Sequence, residues 1–255
     1  MSLLKNVVTS ENVEEEKDVV GGGGKKVLPS GIYDATVNLA YIIESAKGAL
    51  AVVLDLLVGE DTVSQTIYFT NRNKEATYTK NGKTFWMPGH AVLNSLSLLA
   101  CGKDLLSEDL QTPDKTLMIF DFESKKELPK EVPVLTEWKD AKVKVAIMDV
   151  LEPVNKLNKD TNEYEPSYDA QGNLMTRQFN DFVKFMRQRD SLTTTEIKNE
   201  ETEATYATEW LAKWEDKQSD KTTKVSQTIA VGASSGSMVN SPSGAPKPSG
   251  GKLFS

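Results

Sequence analysis

The sequence predicts a mainly β protein with a few helices, its folded body flanked by two flexible tails. Three observations carry this. Several short apolar runs alternate with a period of two, turn residues separate them, and both ends of the 255-residue chain lose the apolar content a core requires. Hydrophobic residues make up 38% of the chain, below the roughly 45–50% of average globular chains, so part of it is not expected to fold.

Residues 1–27 read as a flexible acidic N-terminal arm, because Glu14-Glu15-Glu16 precedes a Gly21-Gly22-Gly23-Gly24 run that neither helix nor strand would keep. Residues 28–217 form the expected folded domain. Gly31 to Ala40 alternates around Tyr33, Ala35, Val37 and Leu39, the pattern of a half-buried strand. After a turn at Ser45-Ala46-Lys47-Gly48, Ala49 to Val58 reads as a strand buried on both faces. The Gly59-Glu60-Asp61 turn then leads into a third strand with Val63, Gln65, Ile67 and Phe69 on one side. Thr77 to Lys80 and Lys83 to Trp86 flank Asn81-Gly82, a pair suited to the positive φ of a tight hairpin turn.

Pro88 suits a first helical turn, Ala91 to Leu99 carries apolar residues at helical spacing, and Gly102 suits the cap. Leu117 to Phe122 and Val143 to Leu151 predict two more strands. Asn155 to Gly172 is turn-rich, and Phe179 to Phe185 predicts a further strand. Tyr206, Trp210, Leu211 and Trp214 then lie on one stripe of a helix expected to dock on the sheet. From Gln218 to Ser255 the chain is rich in Gly, Ser and Pro and cannot bury enough surface to offset its conformational entropy. It reads as a disordered tail.

The formal net charge of −7 argues against bulk coating of duplex DNA by positive charge. One segment departs from that average. Between Tyr68 and His90 the bases are Arg72, Lys74, Lys80 and Lys83, against Glu75 as the one acid, and Tyr68, Phe69, Tyr78, Phe85 and Trp86 stand among them. Cations spaced along a backbone and flat rings for unstacked bases are the signature of a single-strand track. Tyr68, Arg72, Lys74, Tyr78, Lys80, Lys83 and Trp86 are therefore the candidate DNA-binding residues, with Tyr78 and Trp86 stacking bases and the cations meeting phosphates. The same residues also fit a hairpin whose rings pack inward.

Catalytic constellations are missing. Gly21 to Gly24 follows an acidic leader instead of a strand, so it lacks the frame of a phosphate loop. Asp149 and Glu152, with Asp160 or Asp169, are the one carboxylate set that a metal-dependent nuclease would use. His90, the single histidine, reads as a helix N-terminal residue, and Cys101, the single cysteine, as a small buried one. No enzyme activity and no cofactor are expected. Met1 to Lys5 runs into acids with no apolar leader, and no run reaches the ~18 apolar residues of a membrane helix, so a reducing cytoplasm is expected.

The order of elements adds a resemblance. A Gly-x-Tyr-x-Ala first strand (Gly31, Tyr33, Ala35), a second strand led by Gly48, a third strand, and a helix ending near Leu98-Leu99-Ala100-Cys101-Gly102 are followed by Ser191-Leu192-Thr193-Thr194-Thr195-Glu196 and the Trp-bearing helix. Over residues 28–217 this resembles the single-stranded DNA-binding proteins of tailed bacteriophages. The resemblance implies an oligonucleotide-binding fold, a five-stranded Greek-key barrel with additions. It also implies non-catalytic binding and protection of single-stranded DNA during phage DNA replication and recombination, in the cytoplasm of the infected bacterial host. Phage or host replication, recombination or transcription proteins would be partners through the tails. Many such proteins end in an acidic tail, whereas here Asp220 is the one acid from Gln218 onward, against Lys221, Lys224, Lys247 and Lys252. A virion structural or assembly protein and a metal-dependent nuclease are the alternative readings.

Overall fold

A computed structural model describes residues 26–121, 124–158 and 164–222. Most of the N-terminal arm and nearly all of the C-terminal tail therefore lie outside the described residues. The body is mainly β, as expected. Its main sheet is built from β1 (Gly31–Glu44), β2 (Leu50–Val58) and β3 (Asp61–Tyr68), followed later in the chain by β8 (Lys142–Pro153) and β11 (Thr176–Arg187). The order across the sheet is β11-β8-β1-β2-β3, with every neighbour antiparallel. The sheet is open: β3 and β11 are its edges. One side chain spans them, because Gln65 on β3 accepts a hydrogen bond from the Phe182 backbone N–H (2.7 Å) and donates to Asp181 on β11 (2.6 Å).

Alternation decides which side chains enter the core. Val52, Leu54, Leu56 and Val58 of β2 are buried together with Ala35, Val37, Ala40, Val63, Ile67, Val143, Val145 and Phe185. The outer face of β2 is not sealed in the same way: Val53 and Asp55 are half-buried and Leu57 is exposed. This corrects the expectation of a strand buried on both faces. In β1 a bulge between Val37 and Leu39 resets the alternation, so Leu39, Tyr41 and Ile43 continue on the outer face beyond the predicted strand end at Ala40.

Helix α1 (Pro88–Cys101) lies where Pro88 and Gly102 predict it, with Gly102 closing it in the left-handed conformation (φ 74°). Leu93 and Leu96 drive it into the main core, while Cys101 is half-buried and donates its thiol to the Ser97 carbonyl. A short helix, α2 (Thr194–Lys198), starts with a capping box between Thr193 and Glu196, and the Glu196 carboxylate also accepts the Tyr206 backbone N–H (2.8 Å). That contact ties α2 to α3 (Thr205–Trp214), whose buried Ala207 and Trp210 pack with Ala146 and Met186 on the sheet. The predicted stripe therefore docks as expected.

Three two-stranded ribbons lie outside the main sheet: β4 (Thr77–Lys80) with β5 (Lys83–Trp86), β6 (Asp114–Asp121) with β7 (Lys126–Pro133), and β9 (Asn155–Leu157) with β10 (Tyr164–Pro166). The strand predicted around Leu117 thus belongs to an arm and not to the main sheet. A last strand, β12 (Gln218–Asp220), pairs in parallel with β8 beyond the first residue of β1. Residues 218–220 were expected in the tail; they are held instead by backbone hydrogen bonding, which needs no apolar side chain. Among the described residues no helix is long and apolar enough to cross a membrane.

Candidate nucleic-acid interface

The β4–β5 ribbon turns on Asn81 (φ 52°) and Gly82 (φ 72°), the two positive values of a two-residue hairpin turn. Its register pairs Thr77 with Trp86, Tyr78 with Phe85, Thr79 with Thr84 and Lys80 with Lys83. Directly opposed residues share a face and successive residues alternate. Tyr78, Phe85, Lys80 and Lys83 therefore stand on one face of the ribbon, and Trp86 stands on the other with Thr77, Thr79 and Thr84. The Tyr78 and Phe85 rings lie 5.7 Å apart, tilted by 31°, and are 39% and 44% exposed.

Trp86 is separated from Tyr78 by the ribbon itself. Its indole stacks on the imidazole of His90 in the first turn of α1, with centroids 4.2 Å apart and planes within 14°, and it remains 56% exposed. His90 is buried, and burial lowers its pKa, an effect the Asp104 carboxylate opposes. The close seat of α1 depends on Gly89, where a Cβ would fall 2.0 Å from the Tyr68 carbonyl oxygen. Tyr68 ends β3 on its exposed face, beside the start of this helix.

Arg72 and Lys74 lie in the loop between β3 and the ribbon. Asn71 shapes that loop by accepting the N–H groups of Asn73 and Glu75, and Lys74 takes a left-handed conformation (φ 61°). The loop is fastened to the β1–β2 turn: Leu50 N–H donates to the Thr70 hydroxyl, and Lys74 Nζ reaches Glu44 at 3.0 Å. Gly48 (φ 89°) approaches so closely that a Cβ there would meet the Arg72 carbonyl at 2.9 Å. Lys74 is thus partly neutralised by Glu44, whereas Arg72, Lys80 and Lys83 form no ion pair among the described residues.

Two features were not singled out in the sequence. On the outer sheet face, Ile43, Ala51 and Tyr68 form one cross-strand row and Tyr41, Val53 and Thr66 the next. Tyr41 therefore joins Tyr68 on the outer face of the sheet; the resumed alternation Leu39, Tyr41, Ile43 was the available signal. The second feature is the β9–β10 ribbon, where Tyr164 is 63% exposed and Lys47 of the β1–β2 turn sits over its ring, 5.8 Å from the centroid. The β1–β2 turn thus touches two other segments, the β9–β10 ribbon through Lys47 and Tyr164 and the loop of Arg72 and Lys74 through Gly48 and Glu44.

The carboxylates singled out for a metal are otherwise engaged. Asp149 accepts from Gln178 and Gln218, Glu152 pairs with Arg177 and Lys221, and Asp169 closes its own turn on Asn173. Asp160 lies outside the described residues. Among the described residues no three His, Cys, Asp or Glu side chains gather around a possible cation position. A cleft of about 460 Å³ separates the β3 and β11 edges, but its two bases, Lys26 and Arg177, are paired with Asp61 and Glu152. No protein-family model matches the chain, and no curated protein matches it.

Proposed function

We propose that the protein binds single-stranded DNA without catalysis and protects it during phage DNA replication and recombination, in the cytoplasm of an infected bacterium. One observation carries the reading: a register-matched pair of exposed rings, Tyr78 and Phe85, stands on the same ribbon face as the register-matched lysines Lys80 and Lys83. Rings offer faces to bases of any identity at about 1–3 kcal/mol per base, while ammonium groups two residues away meet the phosphates on either side. Tyr41 and Tyr68 on the outer sheet face, and Tyr164 with Lys47 at the other loop, extend the track.

The strand order supports an oligonucleotide-binding barrel as the frame. With β1 central and β3 and β11 as edges bridged by Gln65, closing the sheet is the step that separates it from a five-stranded Greek-key barrel, a fold that is often only partly closed. Partners in replication, recombination or transcription would engage the tails. The test is a titration of fluorescent single- and double-stranded oligonucleotides at low and moderate salt, with and without magnesium. Tight, salt-sensitive binding of the single strand without cleavage is expected. Cleavage would select the nuclease reading, and no binding the virion one.

A further inference from the structure

Among the described residues the β6–β7 arm has one blocked edge and one open edge. Val134 N–H donates to the Pro113 carbonyl (3.0 Å), and this bond sets the phase of the ladder below it. With Asp114 opposite Pro133, the hydrogen-bonded pairs are Lys115 with Val132, Leu117 with Lys130, and Ile119 with Leu128. The intervening residues turn their backbone groups outward. On β7 these include Pro129 and Pro133, which have no N–H to offer, and β7 is also the strand whose end bridges to β1 at Tyr41 and Val134. On β6 the outward positions include Thr116 and Met118, both exposed, with Met118 at 61%. Proline is a usual guard for a strand edge, and only β7 carries it.

We propose that the open β6 edge pairs with β6 of a second copy of this chain, antiparallel and two-fold about Met118. The strand is self-complementary in that register and in no neighbouring one. Lys115 and Asp121 lie three residues either side of Met118, so each Lys115 faces the other copy's Asp121, on the same face as Leu117 and Ile119. Asp121 is suited to this: the Ser124 backbone N–H and the Lys130 ammonium hold its carboxyl well below the usual carboxylate range, so it stays ionised. On the opposite face Met118 meets its own counterpart and Thr116 faces Phe120. A slip of two residues either way would set Lys115 against Ile119 or carry it past Asp121. The product is a four-stranded sheet with the two proline-guarded β7 strands outermost, an isologous contact that closes on itself. It is independent of nucleic acid.

The test is sedimentation equilibrium of the full chain across a concentration series without DNA. The wild-type mass should rise from 28.1 kDa toward twice that value. Met118→Pro removes an N–H that the arm itself does not use, so it should keep the thermal midpoint of the wild type and remain monomeric. Lys115→Glu, which sets like charges against each other twice, should weaken dimerisation at least tenfold, and more so at low salt. In a separate oxidation experiment Met118→Cys should give a disulfide-linked dimer much faster than Glu131→Cys on the β7 edge, with the wild type as the control for Cys101. A wild-type chain that stays monomeric to about 1 mM would overturn the proposal. So would a dimer that persists unchanged in Met118→Pro, or equal cross-linking from both edges.

Discussion

The side-chain amide of Gln65 does the work of a missing strand pair: its oxygen accepts the backbone N–H of Phe182 at 2.7 Å, while its nitrogen donates to the Asp181 carboxylate at 2.6 Å. An amide presents the same donor and acceptor as a peptide group, so one residue of β3 can satisfy an edge group of β11 without bringing the two backbones together. β11 is irregular just beyond this point, between Phe182 and Lys184, where the strand bends.

Gln65→Ala should therefore destabilise the fold by about 1–3 kcal/mol, because it leaves the part-buried Phe182 N–H without an acceptor. Urea unfolding gives the free energy, and native-state amide exchange should show the Phe182 amide exchanging much faster. A variant with unchanged exchange at Phe182 would mean the bridge does not hold the edges.

Tyr78 and Phe85 should behave as a binding pair and not as core. Each alanine substitution is expected to weaken single-strand affinity by about 1–3 kcal/mol and to move the thermal midpoint little, since both rings are exposed. Trp86→Ala should differ in kind, lowering thermal stability through loss of the His90 stack. Comparing fluorescence anisotropy titrations with thermal melts of the three variants separates the two roles.

Salt dependence tests the cations. Single strands release counterions with a slope of about −0.7 per phosphate contact, so replacing Lys80 and Lys83 together should flatten the slope of log K against log salt by about 1.4. Lys74→Ala should flatten it less, because Glu44 already neutralises part of that charge. A larger effect from Lys74 than from Lys80 and Lys83 together would place the phosphate path on the loop and not on the ribbon.

His90 makes a pH prediction of its own, as it is the single histidine of the sequence. Burial lowers its pKa below the ordinary 6.5, so as pH falls through that value the unfolded chain takes up the proton first. Stability contributed by neutral His90 is thus full above about pH 6.5 and declines below it until the folded-state pKa is passed. Chemical denaturation from pH 7.5 to 5 should show this decline in the wild type and a flatter profile in His90→Gln, whatever the absolute stability of that variant.

Much of the body was legible because its signals are local. The alternation of Tyr33, Ala35 and Val37, the Asn81-Gly82 turn, the cap at Gly102 and the Tyr206–Trp214 stripe each act over a few residues, and each forms as read. Where a signal was interrupted the reading stopped short. The β1 bulge hid Tyr41 by shifting the period once, and β7, Lys126–Pro133, has a polar, proline-bearing sequence with little strand character of its own. It is a strand because β6 lies beside it. Gln218–Asp220 has no apolar residue at all and is a strand through pairing with β8.

By itself the sequence determined the class, the element types, the segment in which rings and bases are gathered, and the sparse supply of histidine and cysteine. Tertiary structure decided which of those rings share a face. Ribbon register set Tyr78 with Phe85 and turned Trp86 toward His90, and the approach of the β1–β2 turn brought Lys47 to Tyr164 and Glu44 to Lys74 across long stretches of chain. The reason is physical: backbone preference and side-chain alternation act over neighbouring residues, whereas register and edge contacts depend on groups far apart in the chain that meet only when the core closes.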